Sequence, residues 1–422
     1  LAYLVLAGLI IVLALGVRLF GRDWDDGLYL HPDERFIAFV ISDRIHAPAL
    51  NDLRAVLDPE RSPLNPRSDG PDGQPRSYAY GSLPLFVTDA VAAVAGAISG
   101  RALNTYAAIV PVGRFLSAIL DTATIVLAMA VARQAWGRAA ALVTGLLLAG
   151  SAILIQLAHF FTVDTWVTCL TMLTILAATR IPGAPALRWP VIAGAAAGAA
   201  LSTKVSVVTV VLPIATAALL DMHPEHWRAG LRLALKRLGI AAGSALVAFA
   251  VFEPYAFRQP RAFFSDVLMQ WRITSGRLDL PFTRQYVGTA PVLYEVEQLV
   301  RWGIGPAFAL AAIVAVGWAL RQAIHRRAPA SAMVLLSWII PYFALISVSE
   351  VKFLRYSAPI VPALAILVGG MLGPRAARVR ERWTARCVAT AAATALVVGA
   401  TLAWAIAFLT IYTEPHTRIA AS

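Results

Sequence analysis

Long apolar runs, one after another, decide what this chain can become. A helix needs about 17–25 predominantly apolar residues to cross a hydrocarbon core. Eleven segments read as such spans: 1–20, 114–132, 139–158, 164–179, 189–203, 205–220, 238–254, 302–320, 331–348, 357–373 and 387–411. Composition agrees: 59% of the 422 residues are hydrophobic, 14% are charged and mean hydropathy is +0.69. Soluble domains carry about 25% charged residues, so a soluble enzyme is excluded. The expected class is an all-α polytopic membrane protein.

A twelfth apolar stretch, 82–99, carries Asp89 and follows Tyr80-Gly81-Ser82. The positive-inside rule decides how to treat it. If it does not cross, the connections 133–138, 180–188, 221–237, 321–330 and 374–386 share one side. They hold sixteen basic residues and three acids, Asp221, Glu225 and Glu381. If it crossed, every later basic loop would face outward. The expectation is therefore an interfacial or dipping segment at 82–99, with the N-terminus inside and the C-terminus outside. Two long outer connections follow, 21–113 and 255–301, the first with an irregular Pro/Asp/Arg-rich stretch at 45–77. A single membrane domain over 1–422 is expected, without tandem repeats.

The net charge of +12 would point to nucleic acid in a soluble chain. Here the basic residues lie between spans and set topology, so no nucleic-acid partner is expected. Cys169 and Cys387 lie far apart in apolar runs and support neither a disulfide framework nor a metal site. Segment 1–20 has no small-residue cleavage site before its charges begin, and is expected to be a retained first helix.

Polar chemistry gathers on the outer side. His31-Pro-Asp-Glu-Arg-Phe36 follows the first span. Pro and acids suit a helix start, and an ionised carboxylate facing an outer cavity can also take a proton from a hydroxyl. Asp164 lies in His159-Phe-Phe-Thr-Val-Asp164, where it fits either an N-cap or a functional acid beside the membrane. Lys204 is the sole charge between two short spans, and either snorkels or presents an ammonium to a phosphate. Lys352, Arg355 and Tyr356 follow Glu350; if helical, Lys352 and Arg355 share a face, and an Arg fork matches phosphate oxygens. The loop 258–294 mixes Phe263, Phe264, Trp271 and Phe282 with Arg261, Arg272, Arg277 and Arg284, which suits an interfacial helix with a lid or an aromatic belt.

In this order along the chain, the motifs resemble the C-type glycosyltransferases (GT-C fold) that use polyprenyl-linked donors, in particular protein O-mannosyltransferases and aminoarabinose transferases of lipid A. The resemblance covers about residues 1–375 and rests on six stretches. They are His31–Phe36, Tyr78–Phe86, Gly113–Ser117 with Trp136-Gly-Arg138, Phe160–Asp164, Gly198–Lys204 and Lys352–Pro359. The resemblance implies a GT-C-like bundle of about eleven transmembrane helices, with juxtamembrane helices in a long first outer loop. It implies sugar transfer from a polyprenyl-phosphate donor to an acceptor hydroxyl on a protein, lipid or glycan, in the inner (plasma) membrane of a bacterial cell envelope. Asp33, Glu34 and Asp164 are the expected catalytic acids. Lys204, Lys352, Arg355 and Tyr356 are expected to bind the donor phosphate. His31, Tyr80, His159, Arg284 and Tyr286 are expected on the acceptor or lid side. No cofactor is firmly expected; a divalent metal through Asp23, Asp33 and Asp164 stays open, with metal-free catalysis preferred. The rival classes are a transporter or flippase and a non-catalytic subunit of an envelope-assembly complex.

Overall fold

The computed structural model describes residues 1–46, 53–68, 76–378 and 384–414, and every regular element among them is helical. The chain begins with α1 (Ala2–Leu19), α2 (Pro32–Arg44), α3 (Leu83–Ser99), α4 (Tyr106–Trp136), α5 (Arg138–Ala149) and α6 (Ala152–Ala158). Next come α7 (Val163–Ala178), α8 (Arg188–Leu201), α9 (Val211–Leu219), α10 (Trp227–Phe252), α11 (Tyr255–Arg258) and α12 (Pro260–Thr274). The last are α13 (Leu293–Gln298), α14 (Pro306–Ile324), α15 (Ala330–Val348), α16 (Val361–Ala377) and α17 (Ala385–Leu409). Parts of two expected loops, 47–52 and 69–75 within 45–77 and 379–383 within 374–386, lie outside the described residues.

Seven described segments are long and apolar enough to cross a membrane: Ala2–Leu19, Tyr106–Trp136, Pro224–Phe252, Pro306–Ile324, Ala330–Val348, Leu354–Ala377 and Ala385–Tyr412. The pair α5 and α6, bent by 61°, makes an eighth. The chain is a multi-pass membrane protein. The other three expected spans also fall on helices, but short ones. α7 has 16 residues, α8 has 14, and α9 has nine after a 3-10 stretch, Val205–Val210. At 1.5 Å per residue, α7 and α8 reach roughly 21–24 Å, less than the ~30 Å core. α3, the twelfth stretch, has 17 residues.

The bend after α5 would leave carbonyls without partners. Arg18, buried near the end of α1, supplies them: it donates to Leu148 O at 3.0 Å and to Ala149 O at 3.4 Å. It also pairs with Asp121 of α4, both side chains fully enclosed. A charge within a bundle is costly alone and tolerable when paired.

A second, smaller core sits at the end of the bundle that bears α2. Ile37, Ala38 and Ile41 of α2 pack with Tyr78, Leu85 of α3, Ile109 of α4 and Phe161. This layer fixes the start of α2 against the bundle, and with it Asp33 and Glu34.

Candidate functional site

α2 starts where its sequence directs. His31 is extended, Pro32 occupies the first helical position, and Asp33 and Glu34 lie in the first turn. Buried positions Glu34, Ile37, Ala38 and Ile41 follow helical spacing, so this face turns inward. Adjacent helix residues do not face the same way. Asp33 therefore points elsewhere, and the expected acidic pair is divided.

Asp33 joins a chain of alternating charges. Its Oδ2 lies 3.1 Å from Arg355 Nη2. Arg355 Nε lies 3.8 Å from Asp164 Oδ2, and Lys204 Nζ donates to Asp164 Oδ1 at 2.9 Å. Four separate segments contribute: α2, the first turn of α7, the link after α8, and a 3-10 stretch at Leu354–Ile360. Asp164 is 4% exposed, while Asp33 and Arg355 are 21% exposed and Lys204 is 18% exposed, so the cluster is only partly buried. The Lys204 ammonium sits 4.8 Å from the Tyr356 ring, and the Arg355 guanidinium lies 4.3 Å over Phe353.

His31 and Tyr80 border the same cluster. The His31 ring packs 4.5 Å from Phe160, and its Nδ1 is buried with no hydrogen-bond partner. Burial lowers the imidazole below its ordinary value; Asp33 opposes that shift and Arg355 adds to it. Burial, reinforced by Asp33, pushes the Tyr80 phenol well above its usual range. Tyr80 is held there by Gly81, whose N–H donates to Thr203 O at 3.0 Å. A Cβ at Gly81 would stand 1.8 Å from Ser202 O, so the strand-like turn can approach the Lys204 link only as glycine.

Several expected site residues lie elsewhere. Glu34 accepts two bonds from Arg114, Nε to Oε1 and Nη2 to Oε2, both 2.7 Å, and one from Phe161 N at 2.9 Å. It braces the fold behind Asp33 instead of facing the opening. Lys352 precedes the 3-10 stretch, so it shares no helical face with Arg355; it is 4% exposed and donates to Glu350 O at 3.3 Å. His159 bridges Ile155 O and Phe20 O, each at 2.7 Å, and stacks on Tyr412. Arg284 is exposed and paired with Asp279. Tyr286 is buried, 5.3 Å edge-on to Phe353, one ring away from Arg355. Among the described residues, no group of three or more His, Cys, Asp or Glu could hold a metal ion.

Two networks were not anticipated. Arg114 also binds Asp25, Nη1 to Oδ1 at 3.0 Å and Nη2 to Oδ2 at 2.7 Å. Burial alone would raise the Asp25 carboxyl; Arg114 outweighs it and holds the group below the usual carboxylate range. The second network centres on buried Arg67, which donates to Glu253 at 2.8 Å, Asp266 at 2.7 Å and Tyr78 O at 2.9 Å. Glu253 also accepts from Ser82 N at 2.6 Å. Burial lifts the Glu253 carboxyl above its ordinary value, against Arg67 and Ser82. This clasp ties the connection 21–113 to the end of α10 and to α12. An acid beside Pro254 at the end of an apolar run, and an arginine opening the span at 114, were the available signals.

Short, acid-bearing helices gather around one end of an all-helical bundle. Among solved structures, the chain is similar to the oligosaccharyltransferase of Archaeoglobus fulgidus tethered to an acceptor peptide, with TM-score 0.60 and 15% identity over 99% of this chain and 56% of that one. It is similar to ArnT from Cupriavidus metallidurans bound to undecaprenyl phosphate, with TM-score 0.56 and 18% identity over 96% of this chain and 76% of that one. It is also similar to the A. fulgidus oligosaccharyltransferase AglB in complex with an inhibitory peptide and a dolichol-phosphate, with TM-score 0.59 and 14% identity over 97% of this chain and 56% of that one. The chain thus spans little more than half the length of the oligosaccharyltransferases. Residues 109–256 match the family model of the dolichyl-phosphate-mannose-protein mannosyltransferases. No curated protein sequence matches the chain.

Proposed function

We propose that this protein is a membrane glycosyltransferase, moving a sugar from a polyprenyl-phosphate donor to an acceptor hydroxyl. The observation that carries the reading is the partly open row Asp33–Arg355–Asp164–Lys204 at one end of the bundle. It pairs a proton acceptor with two cations, which is what phosphate departure and hydroxyl attack together require. The acceptor oxygen forms the new bond to the anomeric carbon and its proton passes to Asp33. The bond from that carbon to the phosphate oxygen breaks, and the electron pair leaves with the polyprenyl phosphate. Arg355 and Lys204 stabilise the growing charge, and Tyr356 borders the ammonium. Asp164 holds both cations in place. A single displacement of this kind inverts the anomeric centre. His31 and Tyr80 supply polar contacts on the acceptor side, and Glu34 with Arg114 fixes the helix start from behind.

The basic connections at the opposite end support an extracytoplasmic active site, with the N-terminus cytoplasmic, in the plasma (inner) membrane. We read 1–422 as one membrane domain, with 21–113 and 255–301 as its outer loops. Arg355 tests the phosphate role. Arg355→Lys keeps the charge and loses the planar fork; Arg355→Ala loses both. Transfer from a synthetic polyprenyl-phosphate sugar should fall in the order wild type, Lys, Ala, with Ala down by about 10²-fold or more. Equal rates for all three would reduce Arg355 to a structural partner of Asp33.

A further inference from the structure

The end of the bundle opposite the acids holds a groove of about 480 Å³ between α1, α4 and the turn after α7. Its floor is apolar, built by Ala7, Ile11 and Met129, and its mouth carries Arg133, Gln134 and Arg180. Among the described residues, no acidic side chain lines it. The mouth is organised: Gln134 donates to Thr179 O at 2.9 Å and accepts from Arg180 Nε at 3.2 Å. Each guanidinium rests on a ring, Arg133 5.1 Å over Tyr3 and Arg180 4.5 Å over Trp189. Basic residues at helix C-termini answer the local dipole. Two of them around one apolar cavity without a carboxylate leave positive charge in excess, displayed as forks that match phosphate oxygens.

We propose that this groove binds an acidic phospholipid, its phosphate between Arg133 and Arg180 and an acyl chain along α1 and α4. Basic pockets between membrane helices recognise such headgroups. The inference is independent of the catalytic reading, since no residue of the Asp33–Lys204 row takes part. The test uses the whole chain, purified and exchanged into equimolar phosphatidylglycerol and phosphatidylcholine, with retained lipid read by native mass spectrometry. Wild type should favour phosphatidylglycerol by about tenfold. The pair Arg133→Gln with Arg180→Gln should fall to parity, while Arg133→Lys with Arg180→Lys keeps most of the preference. Should the Gln pair fail to fold, Arg180→Gln alone is read in the same way. No preference in wild type, or an unchanged preference after loss of the arginine charge, overturns the proposal. Release of the lipid by excess inorganic phosphate would assign the site to free phosphate and overturn it as well.

Discussion

Arg114 is gripped on two sides, by Glu34 from α2 and by Asp25 from the loop before it, all three side chains being at most 2% exposed. Removing one partner of a buried pair costs about 3–5 kcal/mol. Glu34 remains in Asp25→Asn, so the loss at pH 7 should be smaller, on the order of 2 kcal/mol. The folded Asp25 carboxyl titrates below its ordinary value. Its contribution is therefore full above about pH 4 and disappears as pH falls through the folded pKa. Thermal unfolding in detergent should show the gap between wild type and Asp25→Asn closing on acidification; a gap independent of pH would assign the loss to packing. Four residues marked in the sequence at the ends of apolar runs, Asp33, Asp164, Lys204 and Arg355, meet in one row of charges. Glu34 was misread because neighbours in sequence look like a pair, whereas a helix turns them apart. The partner of Asp25 was not legible, because a carboxylate among several in one loop gives no sign of which meets an arginine 89 residues away.

At the scale of elements, the turn Tyr80-Gly81-Ser82 joins the two halves of the site. It touches the Lys204 link through Thr203 O and Ser202 O, and the end of α10 through Glu253. Gly81→Ala would drive a methyl group into the Ser202 carbonyl. The backbone must move, at a cost of roughly 1–3 kcal/mol, and Tyr80 and Lys204 move with it. Both the unfolding temperature and sugar transfer should fall; an unchanged unfolding temperature would contradict this packing. The apolar runs located every expected span on a helix, because burial from water is a local property of composition. They did not give the lengths of α7, α8 and α9; α7 and α8 are largely buried among other helices and need not match the lipid. They also hid the bend at α5–α6, which depends on Arg18 reaching across from α1.

For the whole molecule, the two ends of one bundle carry different chemistry: the Asp33–Arg355–Asp164–Lys204 row at one, Arg133 and Arg180 around an apolar groove at the other. That polarity was legible from loop charges alone. The docking of the connection 21–113 on α10 and α12 was not, since Arg67 meets Glu253 and Asp266 across 186 and 199 residues and no local pattern encodes such a meeting. The central claim is that Asp33 takes the acceptor proton in a site whose cations hold the donor phosphate. Asp33→Asn retains size and polarity while removing the proton acceptor. With purified protein and a polyprenyl-phosphate sugar, the account predicts transfer reduced by about 10²-fold or more and donor affinity nearly unchanged. Turnover close to wild type in Asp33→Asn would contradict it.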